Sequence, residues 1–374
     1  MKIIISPDSF KGSLTAAEAA REISVAIHEI NPMVETVLLP VADGGEGTLE
    51  PLIIATKGQF KYVDVKDPIG RIINVNYGVL GDGETCVIEM AKASGLTLLQ
   101  DDERNPLLAT TYGTGELIRH ALDSGYRKFV VGIGGSATND GGIGMLRALG
   151  MKFLNKAGEE LPEGPESLGE LEEIDTTAFD KRIMDSHFII ACDVDNPFIG
   201  PTGATAIFGP QKGVTPNMVE RFDQTLNHFA NKIEQSTGIK LHDRPGAGAA
   251  GGLGGAFLAF FPVELKPGIE VVLDAIKFYE KIEGADFIIT GEGKSDNQTL
   301  SGKAPVGIAK VAQKKGIPVI LISGYIEEKS ISELSTYFYK LASIANNNIS
   351  TVESFRNAAY YLRLRTKETM QFII

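Results

Sequence analysis

The sequence predicts an α/β protein with two domains, one a doubly wound parallel sheet built from both chain ends and the other an inserted α/β domain with a mixed sheet. Three observations support this. The chain has 374 residues, more than twice the roughly 150 expected of one domain. Short apolar runs alternate with helical patterns near both ends, and a hairpin signal lies in the middle. We expect the first domain to comprise residues 1–70 and 285–374, and the inserted one residues 71–284.

The N-terminal elements predict a strand–helix–strand unit. Residues 3–5 form a short apolar strand, and residues 16–30 place their apolar side chains on one face of a helix. Thr15 and Glu18 have the spacing of a capping box, which predicts where this helix begins. Residues 37–39 are the next strand, and this order of elements favours a parallel crossover.

The middle of the chain has a different pattern. Residues 72–80 and 85–90 are strand-like and are separated by a Gly-Asp-Gly turn, which predicts an antiparallel hairpin. Buried strands are expected at 129–133 and 188–192. Residues 155–185 are polar and acidic, and we expect them to form an excursion on the surface.

The C-terminal third returns to the α/β style. Strands are predicted at 287–290 and 319–322, with a helix over 304–315 between them. A final amphipathic helix is predicted over about 352–364. Together with the N-terminal unit, these elements would complete the doubly wound sheet.

Composition excludes several functional classes. The net charge of −12 argues against nucleic acid or an anionic membrane as the main partner. Two cysteines cannot form a disulfide framework, and the five histidines contain no His-Glu-x-x-His motif. There is no signal-peptide pattern and no apolar run long enough to span a membrane. We therefore expect a cytoplasmic protein that acts on a small molecule.

Glycine-rich loops with embedded carboxylates follow several predicted strands. Glycine accounts for 42 of 374 residues, well above the usual share of about 7%. The loops are residues 43–48, 134–142, 193–197 and 291–298. Ligands of open α/β sheets bind beyond the carboxyl ends of the strands. Exposed backbone N–H groups suit phosphate there, and carboxylates can hold Mg²⁺ or remove a proton. The alternative is that these loops only build turns.

Two other functions fit parts of the pattern. Residues Gly132 to Ala137 follow a strand and match G-x-G-x-x-A, which is typical of a nucleotide-cofactor oxidoreductase. A non-catalytic sensor of carbohydrate acids on the same fold is a third hypothesis.

Seven blocks along the chain resemble the bacterial class I glycerate kinases, and they occur in the family's order. They are residues 6–14 (SPDSFKGSL), 40–48 (PVADGGEGT), 132–142 (GIGGSATNDGG), 191–197 (ACDVDNP), 208–213 (FGPQKG), 246–252 (GAGAAGG) and 290–303 (TGEGKSDNQTLSGK). Together they are highly specific, whereas residues 326–374 contain no sharp motif.

The resemblance implies ATP-dependent phosphorylation of glycerate with Mg²⁺ as cofactor. It also implies a Rossmann-like or flavodoxin-like domain that faces the second domain over a cleft. The expected product is 2-phosphoglycerate, and phosphorylation of the 3-hydroxyl is the alternative. The partners would be glycerate and ATP, with neither nucleic acid nor membrane, and a homodimer is a further expectation.

Phosphoryl transfer needs cations on the phosphates, carboxylates for the metal and a base near the attacking hydroxyl. Within the matching blocks, we expect substrate or phosphate contacts from Asp8, Lys11, Ser136, Thr138, Asn139, Gly291, Gly293, Lys294 and Lys303. The expected metal ligands are Asp193, Asp195 and Glu292. Asp43 is the favoured base, with Asp193 next, and Lys212 completes the catalytic set. The alternatives are solvated surface lysines, a helix cap at Asp195 and a packed turn at 136–139.

Overall fold

The computed structural model of the protein describes residues 1–42, 47–300, 302–346 and 349–374. Its strands are β1 (Lys2–Ile5), β2 (Glu35–Leu38), β3 (Gln59–Lys66), β4 (Ile72–Val79), β5 (Thr85–Glu89), β6 (Lys128–Gly132), β7 (Lys152–Leu154), β8 (Glu173–Asp175), β9 (His187–Ala191), β10 (Val263–Lys266), β11 (Phe287–Thr290), β12 (Lys294–Ser295), β13 (Val319–Ser323), β14 (Tyr325–Ile326) and β15 (Lys340–Ser343). Its helices are α1 (Ala16–Ile30), α2 (Leu49–Thr56), α3 (Ala91–Ser94), α4 (Tyr112–Asp123), α5 (Ile143–Ala148), α6 (Ala204–Phe208), α7 (Pro216–Thr237), α8 (Leu253–Phe260), α9 (Gly268–Ala275), α10 (Phe278–Lys281), α11 (Asn297–Leu300), α12 (Ala304–Lys314), α13 (Ile331–Leu334), α14 (Thr351–Arg356) and α15 (Ala358–Met370).

The described residues pack into two compact units. Unit 1 lies within residues 1–43, 50–58 and 267–374, and unit 2 within residues 44–49 and 59–266. These limits differ from the predicted ones at 70 and 285. β3 belongs to unit 2 because it pairs with β4 along its whole length. Helix α9 belongs to unit 1, where its Ile269 packs directly against Gly307 of α12.

Unit 1 is built on a parallel sheet with the strand order β15-β13-β11-β1-β2 in the described residues. One face of the sheet, which includes Ile3 and Ile289, packs with α1 and α15 into one apolar cluster. Residues of the opposite face, such as Ile4 and Ile288, are also fully buried. Both faces are therefore covered, as the predicted doubly wound class requires.

Unit 2 is built on a mixed sheet with the order β10-β9-β6-β5-β4-β3. β10, β9, β6 and β5 are parallel to one another, and β4 and β3 extend the sheet as an antiparallel pair. Phe129 and Phe188 stack face to face on neighbouring strands, with ring centroids 4.5 Å apart. The predicted fold class, an α/β protein with one parallel and one mixed sheet, is confirmed.

Local predictions near both chain ends are confirmed as well. At the start of α1, the Glu18 N–H donates to Thr15 Oγ1 (3.2 Å) and the Thr15 N–H donates to Glu18 Oε2 (2.9 Å), so both halves of the capping box are present. β4 and β5 form the predicted hairpin. Helix α12 and strand β13 occupy the predicted ranges within one or two residues.

Two local predictions are wrong. Residues 155–185 are not only a surface excursion, because Leu161, Leu168 and Ile183 join the core of unit 2 and β8 pairs with β7. The final helix is interrupted, because Asn357 leaves helical geometry (φ −119°, ψ 40°) and separates α14 from α15. In the first place, apolar contacts with distant residues override the local polar pattern. In the second, Asn357 ends α14 with its side-chain amide bonded to Glu353 Oε1 (2.8 Å).

No helix in the described parts of the chain has both the length and the apolar character needed to cross a lipid bilayer.

Candidate active site

The first group of predicted residues lies where β1 and β11 end in unit 1. The two strands are parallel neighbours, and their pairing continues past their ends, where the Asp8 N–H donates to the Gly291 carbonyl (2.8 Å). The two loops therefore leave the sheet side by side. They form one side of a pocket of about 450 Å³ and contribute, among others, Asp8, Lys11, Glu292, Gly293, Lys294 and Lys303 to its lining. The rest of the lining comes from residues between 324 and 358, most of which lie where the sequence contains no sharp motif. We call this pocket the lysine pocket.

Glu292 and Asp8 are buried carboxylates of the lysine pocket, and Glu292 has 5% of its surface exposed. Its Oε1 accepts hydrogen bonds from Ser295 Oγ (2.8 Å) and Thr299 Oγ1 (2.7 Å). Burial raises the pKa of Glu292, and these hydrogen bonds and the charge of Lys303 oppose the rise. The side chain is held in one orientation by neighbours that come from the same predicted motif.

Lysines supply positive charge to this pocket. Lys294 Nζ lies 3.0 Å from Asp296 Oδ2, and this hydrogen bond raises the pKa of Lys294. Lys11 and Lys303 line the same pocket. Gly291 has a different role, because a Cβ there would lie 2.0 Å from the carbonyl oxygen of Ile322. A residue without a side chain is therefore required at position 291, where β11 and β13 approach each other closely. A contact between Gly291 and phosphate stays a prediction.

The second group of predicted residues lies at the end of β6 in unit 2. Gly134, Gly135 and Ser136 follow this strand and line a pocket of about 210 Å³. Asp193, which follows the neighbouring strand β9, and Lys212 line it too. We call it the Lys212 pocket. Segments distant in the sequence meet there because β6 and β9 end at the same edge of the sheet.

Lys212 is buried, with only 1% of its surface exposed. Its Nζ donates to Ser136 Oγ (2.6 Å) and to the Thr138 carbonyl (2.6 Å). Burial lowers the pKa of Lys212 to about 7, and the charge of Asp140 opposes the decrease. Within the described residues the ammonium group has no ion pair, and two acceptors leave one of its three N–H groups without a partner. A buried cation of this kind is costly unless an anion joins it.

The turn beneath Lys212 is held by buried polar side chains. Thr138 and Asn139 are fully buried and do not line the pocket, and Asn139 Nδ2 donates to Thr205 Oγ1 (2.9 Å). Asp140 Oδ2 accepts from both the N–H (2.9 Å) and the hydroxyl (2.8 Å) of Thr111. These contacts give Asn139 and Asp140 a role in shaping the turn, whereas Thr138 Oγ1 and Asn139 Oδ1 have no hydrogen-bond partner among the described residues. Direct contacts of Thr138 and Asn139 with substrate stay predictions.

Substitution of Gly251 by alanine is expected to damage this turn. Gly251 has φ +68°, and a Cβ there would lie 2.0 Å from the Thr138 carbonyl oxygen that accepts from Lys212. We expect Gly251→Ala to lower the free energy of unfolding by about 1–3 kcal/mol more than Gly158→Ala does. Gly158 has a similar φ of +78°, and no described atom lies within 4 Å of its Cβ position. Gly158→Ala therefore measures the cost of backbone strain without a steric clash. Equal denaturation midpoints for the two variants would contradict the clash.

The predicted metal ligands are spread over both units. Asp193 and Asp195 are exposed in unit 2, and Glu292 lies in unit 1. Asp43 lies outside the described residues. No group of three His, Cys, Asp or Glu side chains able to hold a metal occurs among those that are described. Mg²⁺ usually binds through one or two carboxylates together with substrate phosphates, and single carboxylates such as Glu292 fit that requirement.

The oxidoreductase hypothesis requires a helix directly after the glycine turn at residues 132–137. Instead, residues 133–142 are irregular, and the six-residue helix α5 begins only at Ile143. The segment therefore lacks the helix N-terminus that would hold a dinucleotide pyrophosphate.

Sequence reasoning missed one buried carboxylate, Glu89, which ends β5 and is 3% exposed. Its Oε1 accepts from the N–H groups of Thr48 (2.5 Å) and Leu49 (3.1 Å). The rule that strand ends carry ligand-binding residues could have found it. It escaped notice because no glycine-rich loop follows this strand.

Comparisons with known proteins identify the family of this chain. The Glycerate kinase family profile matches residues 3–374. Glycerate kinase of Bacillus subtilis (strain 168) is 46% identical over 368 residues, covering 98% of this chain and 96% of that protein. Glycerate 2-kinase of Escherichia coli (strain K12) is 48% identical over 328 residues, covering 88% of this chain and 86% of that protein. A crystal structure from Salmonella typhimurium LT2, provisionally named glycerate kinase 2, matches with a TM-score of 0.90 and 42% identity, covering 100% of this chain and 98% of that chain. The chain therefore belongs to the glycerate kinase family and is an enzyme that phosphorylates glycerate.

Proposed function

We propose that the enzyme transfers the γ-phosphoryl group of ATP to the 2-hydroxyl of glycerate with the help of Mg²⁺. The 48% identity to a protein named glycerate 2-kinase supports the choice of this hydroxyl. The predicted motif residues around the two pockets support phosphate as the common ligand.

The observation that carries the proposal is the buried ammonium group of Lys212. It has no ion pair among the described residues, and it lines a pocket together with Ser136 and Asp193. A phosphoryl group in transfer is an anion that would complete the hydrogen bonding of this group. Preorganised donors of this kind stabilise the charge that shifts during phosphoryl transfer.

The lysine pocket supplies the features that a nucleotide triphosphate needs. Lys11, Lys294 and Lys303 bring positive charge beside the carboxylates of Asp8, Glu292 and Asp296, and Lys294 is paired with Asp296. The volume of about 450 Å³ lies within the range of roughly 300–1,000 Å³ that is usual for small-molecule sites. We assign the phosphate chain of ATP to these lysines. Glu292 would hold Mg²⁺, which would supply positive charge to neutralise the phosphates. Asp193 and Asp195 stay predicted ligands in unit 2.

The test is an assay of ADP release from ATP and glycerate, with the product passed to enolase in the absence of phosphoglycerate mutase. Formation of phosphoenolpyruvate is expected, because enolase accepts the 2-phosphate and not the 3-phosphate. Release of ADP without phosphoenolpyruvate would assign the reaction to the 3-hydroxyl. Failure to release ADP would refute the proposed reaction, and a nicotinamide absorbance change would restore the oxidoreductase hypothesis.

A further inference from the structure

A second pocket lies in unit 2, beside the end of β5. Its volume is about 280 Å³, and its lining includes Tyr62, Asn74, Asn76, Glu89, Lys92 and Thr97. We call it the Glu89 pocket. Because β4 is antiparallel to β5, the beginning of β4 lies next to the carboxyl end of β5. The pocket is therefore at the edge of the sheet where substrates of open α/β folds bind.

Glu89 is the one lining residue here with an unsatisfied buried oxygen. Oε1 accepts from the N–H groups of Thr48 and Leu49, and the Gly47 N–H also acts on the carboxyl and helps to lower its pKa. By hydrogen-bond geometry, Oε2 has no partner among the described residues. Lys92 Nζ lies 3.9 Å from Oε2, beyond hydrogen-bond distance. A buried acceptor without a partner is costly, and native structures contain few of them. Oε2 is buried, and a ligand that enters the pocket and donates a hydrogen bond would satisfy it.

This pocket and the Lys212 pocket share a structural neighbour. The segment after β5 supplies Lys92 to the Glu89 pocket. The same segment bonds to the turn of the Lys212 pocket, where the Met90 N–H donates to the Gly132 carbonyl (2.9 Å) and the Leu96 N–H to the Gly135 carbonyl (2.8 Å). Since β5 and β6 are parallel neighbours, Glu89 and this turn lie at the same edge of one sheet.

We propose that the Glu89 pocket binds glycerate, with Glu89 Oε2 accepting the proton of the attacking hydroxyl and Lys92 pairing with the substrate carboxylate. This inference rests on the proposed function. The hydroxyl and carboxylate of a 2-hydroxy acid are on adjacent carbons, so one molecule can contact both Glu89 and Lys92 across the 3.9 Å gap. Asn76 adds an amide group that can bond the remaining oxygens, whereas the Asn74 amide already donates to Asp64 Oδ1 (2.7 Å).

The proton and electron balance of this step is simple. The hydroxyl oxygen forms a bond to the γ-phosphorus of ATP, and the bond from that phosphorus to the bridging oxygen breaks. ADP leaves with the electron pair, while the hydroxyl proton moves to Glu89 Oε2. Burial raises the pKa of Glu89, although its backbone hydrogen bonds and Lys92 oppose the rise, and a raised pKa favours acceptance of a proton near neutral pH.

The decisive variant is Glu89→Gln, which retains the shape of the side chain and one oxygen for the Thr48 and Leu49 N–H groups. It places an NH₂ group where Oε2 would accept the proton. We expect kcat to fall at least about a hundredfold, the lower range for loss of a general base, with glycerate affinity by calorimetry changed less than about threefold. The matched control is Glu84→Gln, because Glu84 is a surface carboxylate paired with Lys128 and should retain wild-type kinetics.

A purely structural Glu89 predicts the opposite result, because glutamine can still accept from both backbone groups. Wild-type kcat in Glu89→Gln would therefore overturn the proton-acceptor role. If this variant fails to fold, Lys92→Met tests whether glycerate binds in the Glu89 pocket. Loss of the charged contact with the substrate carboxylate should raise KM for glycerate about tenfold. An unchanged KM would overturn the binding assignment. The wild-type enzyme must release ADP in the same assay, because its failure would refute the proposed function instead.

Discussion

Replacement of Lys212 by methionine is expected to lower kcat/KM for glycerate at least about a hundredfold, or about 2.7 kcal/mol. Methionine fills most of the buried volume that the aliphatic part of Lys212 occupies, but it lacks the ammonium group that donates to Ser136 and Thr138. The effect should fall mainly on kcat, because the charge that Lys212 stabilises changes during transfer. Initial rates over a range of glycerate and ATP concentrations measure both constants.

The matched control for Lys212→Met is Lys314→Met, at the exposed end of α12. It removes the same charge from the surface and should change the kinetics little. The Lys212 variant should stay folded, because it removes an unpaired buried charge, and that gain offsets the hydrogen bonds lost by Ser136 and the Thr138 carbonyl. Equal, small kinetic effects of both variants would show that Lys212 does not contact the reacting groups. The phosphate site would then have to be assigned to Lys11, Lys294 and Lys303 alone.

Removal of divalent metal is expected to abolish phosphoryl transfer. In excess EDTA the rate of ADP release should fall to background, and added Mg²⁺ or Mn²⁺ should restore it. The reason is that the metal neutralises the phosphate oxygens, while the lysine pocket alone leaves the charge of the triphosphate only partly compensated. Rates measured across a magnesium titration at fixed EDTA give the dependence of ADP release on free Mg²⁺.

Chelation should leave the fold intact. Because no metal-binding group of three side chains occurs in the described parts of the chain, the thermal unfolding midpoint without nucleotide should be the same with and without EDTA. A lower midpoint in EDTA would reveal a structural metal instead. Full turnover in excess EDTA would exclude magnesium from the mechanism and leave Glu292 without its proposed role.

Patterns that depend on near neighbours could be predicted from the sequence. The capping box at Thr15 and Glu18 is satisfied by residues three positions apart, and the hairpin between β4 and β5 follows from its turn. The strand ends at residues 5, 132, 191 and 290 place the predicted motifs at two sheet edges. These features need only local geometry and the alternation of apolar runs.

The sequence by itself therefore determined the α/β class, the two sheets and the motif segments that supply most of the lining of the lysine pocket and the Lys212 pocket. Only the tertiary structure decided how deeply each side chain is buried, because burial depends on contacts between distant segments. It made Lys212 a buried cation instead of a surface one, and it enclosed Thr138 and Asn139 beneath the pocket lining. It also left one oxygen of Glu89 unsatisfied, a property that no spacing of residues encodes. Desolvation is set by the whole packed neighbourhood, and for that reason it could not be predicted from local patterns.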